Sequence, residues 1–154
     1  MEFNLADLYE IVADAVPDRL ALVAGDRRLT YAQLDERANR FAHHLLDHGV
    51  EPGDKVGIYS WDRAEWVEAM LGAYKARAVP VNVNYRYVAD ETRYILDNSD
   101  AVVVVHERTF SPLIEAKKQL FAPVGAGIRA YAVEAGARAA PRHQLASHTR
   151  EKGT

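Results

Sequence analysis

Apolar positions recur at helical spacing over the first fifty residues, then change to short unbroken runs set between helical stretches. Asn4 is placed to cap a first helix, with Asp7 at its third position and Leu5, Leu8, Val12 and Val16 along one apolar face; Pro17 ends it. Residues 20–24 read as a strand, Gly25-Asp26 as a tight turn and residues 28–30 as the returning strand of a small hairpin. Thr30 with Gln33 forms a capping box for a second helix, in which Tyr31, Leu34, Ala38, Phe41, Ala42 and Leu45 share one face. Gly49 stops that helix, Val50 is placed for the apolar contact of a Schellman cap, and Pro52 prevents continuation.

From Lys55 the pattern alternates. It predicts strand 55–59, helix 62–77, strand 79–83, helix 89–98, strand 101–105 and helix 109–120, with one more strand at 128–133. The run Ala101-Val-Val-Val-Val105 lacks polar alternation, as a strand covered on both faces does, and 79–83 branches like a buried strand. Strands separated by helices imply right-handed crossovers, so the fold class is α/β: a mainly parallel sheet with flanking helices and a small N-terminal β-hairpin. Ligands of such sheets gather at the carboxyl ends of the strands, and at the end of 79–83 stand Asn82, Asn84, Tyr85 and Arg86. These four are the candidate ligand-facing residues.

Composition changes this picture at two places. A chain of 154 residues, 49% apolar and 27% charged, is one soluble-type domain long enough to bury a core, with no apolar run near the ~20 residues that cross a bilayer. The acidic N-terminus lacks the basic and apolar regions of a secretory signal, so a cytoplasmic protein is expected. With no cysteine there is no disulfide framework and no thiolate nucleophile or ligand. Up to residue 120 there are 14 Lys or Arg against 20 Asp or Glu, a body too acidic to suggest nucleic acid as partner; the remainder carries 5 against 2. After Val133 the chain is rich in Ala, Arg and Gly with almost no large apolar residue, and 134–154 is expected to be disordered.

Chemistry-bearing motifs are few. Neither GxxxxGK[ST] nor a strand followed by GxGxxG occurs, and Gly125-Ala-Gly127 leads into a strand rather than a helix. His44 and His48 are four apart on the second helix, but HHLLDH lacks the Glu of HExxH, and histidines in a last turn suit the negative end of the helix dipole. Asp62, Glu65 and Glu68 fall in the first turns of a helix, where acidic residues face the positive dipole end and solvent. Trp66, Met70, Ala73 and Tyr74 have the spacing of core. No catalytic, cofactor-binding or metal-ligating residue is assigned.

Three segments, in order, resemble the AMP-forming acyl-CoA synthetases of the adenylate-forming (AMP-binding) enzyme family. NLADLYEIVADAVPDRLALVAGDRRLTY at 4–31 is similar to the opening of fatty-acid–CoA ligases, LTYAQLDERANRFAHHL at 29–45 resembles the family's first core motif, and GVEPGDKVGIYSWDRAEWVEAMLGAYKARAVPVNVNYRY at 49–87 its second. The resemblance implies that residues 1–120 are the N-terminal part of the family's domain, a truncated N-terminal subdomain. It implies chemistry in which a fatty or other carboxylic acid, ATP, Mg and CoA give acyl-CoA, AMP and pyrophosphate. Family members place the phosphate loop, the ribose-binding acid, the magnesium glutamate and the mobile lysine downstream of the matched region, so none is carried over. IRAYAV at 128–133 is similar to a family strand, whereas EAGARAAPRHQLASHTREKGT is unlike the family and makes 121–154 an atypical tail. The chain is therefore expected to be inactive alone and to self-associate through an exposed apolar face; the alternative is a non-catalytic binding or regulatory module, or a gene remnant.

Overall fold

The computed structural model describes residues 3–118 and 129–133. Helix α1 (Leu5–Ala15) is followed by a hairpin of β1 (Leu20–Ala24) and β2 (Arg27–Thr30), helix α2 (Tyr31–Asp47), strand β3 (Lys55–Tyr59), helix α3 (Ala64–Lys75), strand β4 (Val79–Val83), helix α4 (Ala89–Asn98), strand β5 (Ala101–Glu107), a short 3-10 turn (Arg108–Phe110), helix α5 (Ser111–Lys118) and strand β6 (Arg129–Val133). The hairpin is antiparallel; the other four strands form a parallel sheet in the order β4-β3-β5-β6. This is the expected α/β class, and the elements follow the sequence pattern closely. The expected disorder of 134–154 lies outside the described residues.

Local chemistry accounts for the helix ends. Asn4 and Asp7 cap α1 reciprocally, as do Thr30 and Gln33 for α2. At the end of α2 the Val50 N–H donates to the Leu45 carbonyl and the Gly49 N–H to that of Leu46, with Gly49 at φ +80°, which is the Schellman geometry. Helix α3 stops the same way, Ala78 N–H to Ala73 O and Arg77 N–H to Tyr74 O, but the left-handed position is taken by Arg77 at φ +60°. A side chain there costs about 1 kcal/mol, and the Arg77 guanidinium meets the Asp7 carboxylate at 3.2 Å.

The sheet has a core on each face. On one, Ala42 and Leu45 of α2 and Ala69 and Ala73 of α3 pack on Val56, Ile58, Val103 and Val105; on the other, Leu96, Phe110 and Ile114 pack on Tyr59, Val83 and Val104. Strand β3, paired on both sides, is the buried centre. Strand β4 differs from the buried strand that its branched residues suggest: β5 pairs with β3 instead, which leaves β4 at the edge with Val79 46% exposed.

Helix α1 also departs from expectation. Ala6 and Ala13 are buried, while Leu5, Leu8, Ile11 and Val12 are exposed. The helix is held by its polar flank. Glu10 and Asp35 both pair with the buried Lys75 ammonium, Asp35 at 2.8 Å, Asp7 pairs with Arg77, and the Tyr9 hydroxyl donates to the Tyr31 carbonyl. A buried lysine left unpaired is costly, so these contacts fix which face of α1 turns inward and leave its apolar stripe facing out.

Glu65 and Glu68, expected in solvent at the start of α3, are instead largely buried and ion-paired. Arg37 of α2 grips Glu68, its Nη2 at 3.1 Å; Arg27 of the hairpin meets Glu65 at 2.7 Å and Glu68 at 4.0 Å; Arg63 meets Glu65 at 2.8 Å and Glu107 at 3.3 Å. The charges alternate along this ladder, so Glu65 and Glu68 each have a cation on either side and Glu107 ends it against Arg63. Asp62, by contrast, is exposed.

Two outcomes follow for stability. A Cβ on Gly72 would lie 2.7 Å from Phe41 Cδ1 and 2.9 Å from the Ala38 carbonyl, where α2 and α3 touch. Gly72→Ala gains about 1 kcal/mol of helix propensity but overpacks against backbone at about 1–3 kcal/mol, so urea unfolding of the variant should show a net loss. Burial pushes the Glu65 carboxyl up, but the Glu65 backbone N–H, Arg63 and Arg27 outweigh it and hold it below its ordinary 4.5. Because the folded value is the lower one, this stabilisation is present above that pH and is lost as pH falls through the folded value. Glu65→Gln should therefore flatten the acid limb of Tm against pH, below the carboxyl's ordinary 4.5, relative to the parent chain.

Candidate functional site at the carboxyl edge of the sheet

Strand β3 leads into α3 on one face of the sheet, and its neighbour β5 leads into the 3-10 turn and α5 on the other. Two adjacent parallel strands whose connections depart in opposite directions leave a crevice at their carboxyl ends, the usual ligand position in an open α/β sheet. What lines it here is specific. Strand β5 runs two residues beyond the apolar run, with His106 opposite Tyr59 and both His106 and Glu107 paired to β6, so that an imidazole and a carboxylate are buried at the strand's end.

Glu107 closes the floor of the crevice. Its Oε1 accepts from the Ser60 hydroxyl at 3.0 Å and from the Trp61 N–H at 3.1 Å, and its Oε2 faces Arg63. The His106 Nδ1 lies 2.9 Å from the Glu107 carbonyl. Above this floor stands an aromatic wall: Tyr59 stacked on Phe110 at 4.2 Å, Trp61 tilted over Tyr85 at 4.4 Å and over Phe110 at 5.7 Å. The Tyr59 hydroxyl donates to the Tyr87 carbonyl, which ties the segment after β4 to β3. Trp61 keeps 46% of its surface exposed and forms the open side.

The four residues singled out in the sequence divide between two roles. Tyr85 is in the wall, and the Arg86 guanidinium sits over its ring at 5.6 Å. Asn84 makes the turn after β4, its Oδ1 accepting from the Arg86 N–H and its carbonyl from the Tyr87 N–H. Asn82 is exposed on the edge strand, where its Oδ1 accepts from the Trp66 indole N–H at 3.4 Å. Ser60, Arg63, Glu107 and Phe110 join Trp61 at the crevice without having been singled out. The available signal is Glu107 itself: a carboxylate that directly continues a long apolar strand needs a partner, and that partner lies across the neighbouring strand.

Other candidates resolve into structural contacts. His44 and His48 lie with ring centroids 4.2 Å apart, and burial and then the neighbouring His48 hold the His44 pKa below its usual value. His44 is thus a poorer cation than the dipole argument supposes. Among the described residues no group of three His, Cys, Asp or Glu is arranged to hold a metal ion, and no helix is long and apolar enough to cross a membrane. The crevice offers stacking surface and a fixed guanidinium–carboxylate pair. Its carboxylates are engaged by Arg63 and Arg27.

Known proteins place this fold. The family model described as "AMP-binding enzyme" matches residues 9–150. A 3-oxocholest-4-en-26-oate–CoA ligase of Rhodococcus rhodochrous is 59% identical over 111 residues, covering 72% of this chain and 20% of that protein. A medium/long-chain-fatty-acid–CoA/3-oxocholest-4-en-26-oate–CoA ligase of Mycobacterium marinum is 60% identical over 108 residues, 70% of this chain and 20% of its own length. The chain thus spans about one fifth of the curated relatives it matches. Among solved structures, the inhibitor-bound N-terminal domain of FACL13 from Mycobacterium tuberculosis superposes with a TM-score of 0.76 at 30% identity, covering 84% of this chain and 34% of that one. With the parallel sheet, the hairpin and the family match in agreement, this chain belongs to the AMP-binding enzyme family.

Proposed function

We propose that the chain is the N-terminal part of an ATP-dependent acyl-CoA synthetase and does no chemistry alone. The observation that carries this reading is identity near 59% to CoA ligases over most of this chain, set against the one fifth of their length that it spans. Relatives named for steroid-acid and medium- or long-chain fatty-acid ligation favour a large apolar carboxylic acid as the substrate class. Bound Mg-ATP would supply the adenylyl group that activates such an acid toward CoA. The residues present do not fit that group: the sequence has no phosphate loop, and the carboxylates at the strand ends are paired with arginines.

What this chain's residues do is shape and orient. The Trp61–Tyr85–Phe110 wall offers apolar surface beside a crevice whose floor is rigidly hydrogen-bonded, which suits excluding water from one side of a site completed by other segments. The exposed apolar stripe of α1 and the open edge of β4 support the same reading, because surfaces of this kind are normally covered.

Pyrophosphate release decides the matter. The purified chain with Mg-ATP, CoA and a panel of steroid, fatty and aromatic acids should give none above a heat-treated control. A chimera joining residues 1–118 to the corresponding downstream part of the Rhodococcus ligase should release pyrophosphate with the apolar acids. Turnover by the chain alone, or a soluble chimera that stays silent, overturns the proposal.

A further inference from the structure

The crevice poses a physical question that the family reading does not answer: what holds Trp61, a large and half-exposed ring on a loop, in one position? Stacking alone is weak. Aromatic pairs contribute on the order of 1 kcal/mol and tolerate a range of tilts, and the Trp61 contacts to Tyr85 and Phe110 are tilted, at 40° and 34°. The backbone of that loop, however, is pinned from the neighbouring strand. One oxygen of Glu107 takes both the Ser60 hydroxyl and the Trp61 N–H, and the other faces the Arg63 guanidinium, so three residues of the loop converge on one buried carboxylate. We propose that Glu107 is the positioning residue of this site, its carboxylate fixing the Ser60–Arg63 loop so that Trp61 stands as the open wall of the crevice.

Glu107 is suited to this because it is itself immobile. It lies in strand β5, hydrogen-bonded between β3 and β6, and is 7% exposed. A charge at that depth needs compensation. Arg63 provides it and is in turn held by Glu65, Glu65 by Arg27, and Arg27 lies within reach of Glu68, which Arg37 grips. The ladder thus ties the loop's far end to the hairpin and to α2. An exposed guanidinium at Arg63 would swing; one bonded to carboxylates on both sides is held in one orientation. The loop is fixed at its start by hydrogen bonds to Glu107 and at its end by the ladder, with Trp61 between them.

The proposal rests on the carboxyl edge being the ligand-facing side, but its test needs no ligand. The chain holds two tryptophans, so in a Trp66→Phe background the emission reports Trp61 alone. Glu107→Ala should shift that emission to the red and raise its quenching by acrylamide. Glu107→Gln, whose amide oxygen still accepts from Ser60 and the Trp61 N–H, should keep both near the background, even if its Tm falls through loss of the Arg63 pair. A purely structural ion pair would lower Tm in both variants and leave the Trp61 signal alike in both. Glu107→Ala with folded far-UV circular dichroism and unchanged quenching overturns the proposal, as does Glu107→Gln behaving like Glu107→Ala. Should Glu107→Ala fail to fold, Glu107→Asp carries the test: its shorter side chain no longer reaches the Ser60 hydroxyl and the Trp61 N–H, so increased quenching is expected and unchanged quenching overturns the proposal. Failure here leaves the synthetase reading standing, and a silent chimera leaves the positioning of Trp61 untouched.

Discussion

The close approach of α2 and α3 at Gly72 is the constraint from which most of the rest follows. With no side chain at that position, the α3 backbone comes against Phe41 and the Ala38 carbonyl, and the two helices meet along Ala38, Ala42, Ala69 and Ala73 rather than over large residues. That small-residue seam brings the acidic flank of α3 within reach of the arginines on α2 and the hairpin. Glu68 then meets Arg37, and Glu65 meets Arg27. A wider spacing would part Glu68 from Arg37 and leave a buried carboxylate short of its nearest cation, which is costly.

From there the charges carry order toward the carboxyl edge of the sheet. The ladder ends on Arg63 and Glu107, and Glu107 reaches across from β5 to the loop after β3. Helix packing on one face is thereby tied to the side-chain arrangement at the strand ends, a region that parallel topology leaves open. The molecule is stiff where it faces the crevice and bare elsewhere: Leu5, Leu8 and Ile11 of α1 and Val79 of the edge strand stand in solvent. Such an uneven finish fits a chain that spans about one fifth of its relatives' length.

The chain combines the α/β architecture of its family with a sequence that carries no phosphate-binding loop. On the proposed reading, its contribution to a carboxylate-activating enzyme is a wall and a frame rather than a reacting group. That division is physically reasonable, since electrostatic stabilisation of a developing charge requires donors aimed at one point, whereas a large apolar acid needs mainly surface and exclusion of water.

The sequence by itself determined the elements and their order. Period and capping residues are local quantities, so Asn4 with Asp7, Thr30 with Gln33, and Gly49 before Val50 marked helix ends that the structure keeps, and the apolar runs marked strands within one or two residues. The place of Tyr85 just beyond β4 was legible because the end of a parallel strand is a predictable place. Tertiary structure decided the remainder. Strand order made β4 an edge and set β5 beside β3, which alone brings Glu107 to Ser60 and Trp61, residues 47 and 46 positions away. It also turned α1 over, because the ion pairs of Glu10 and Asp7 with Lys75 and Arg77 lie across 65 and 70 residues and outweigh the helix's own apolar stripe. Periodicity shows which face of a helix is apolar; only the partners brought to the other face show which one is buried.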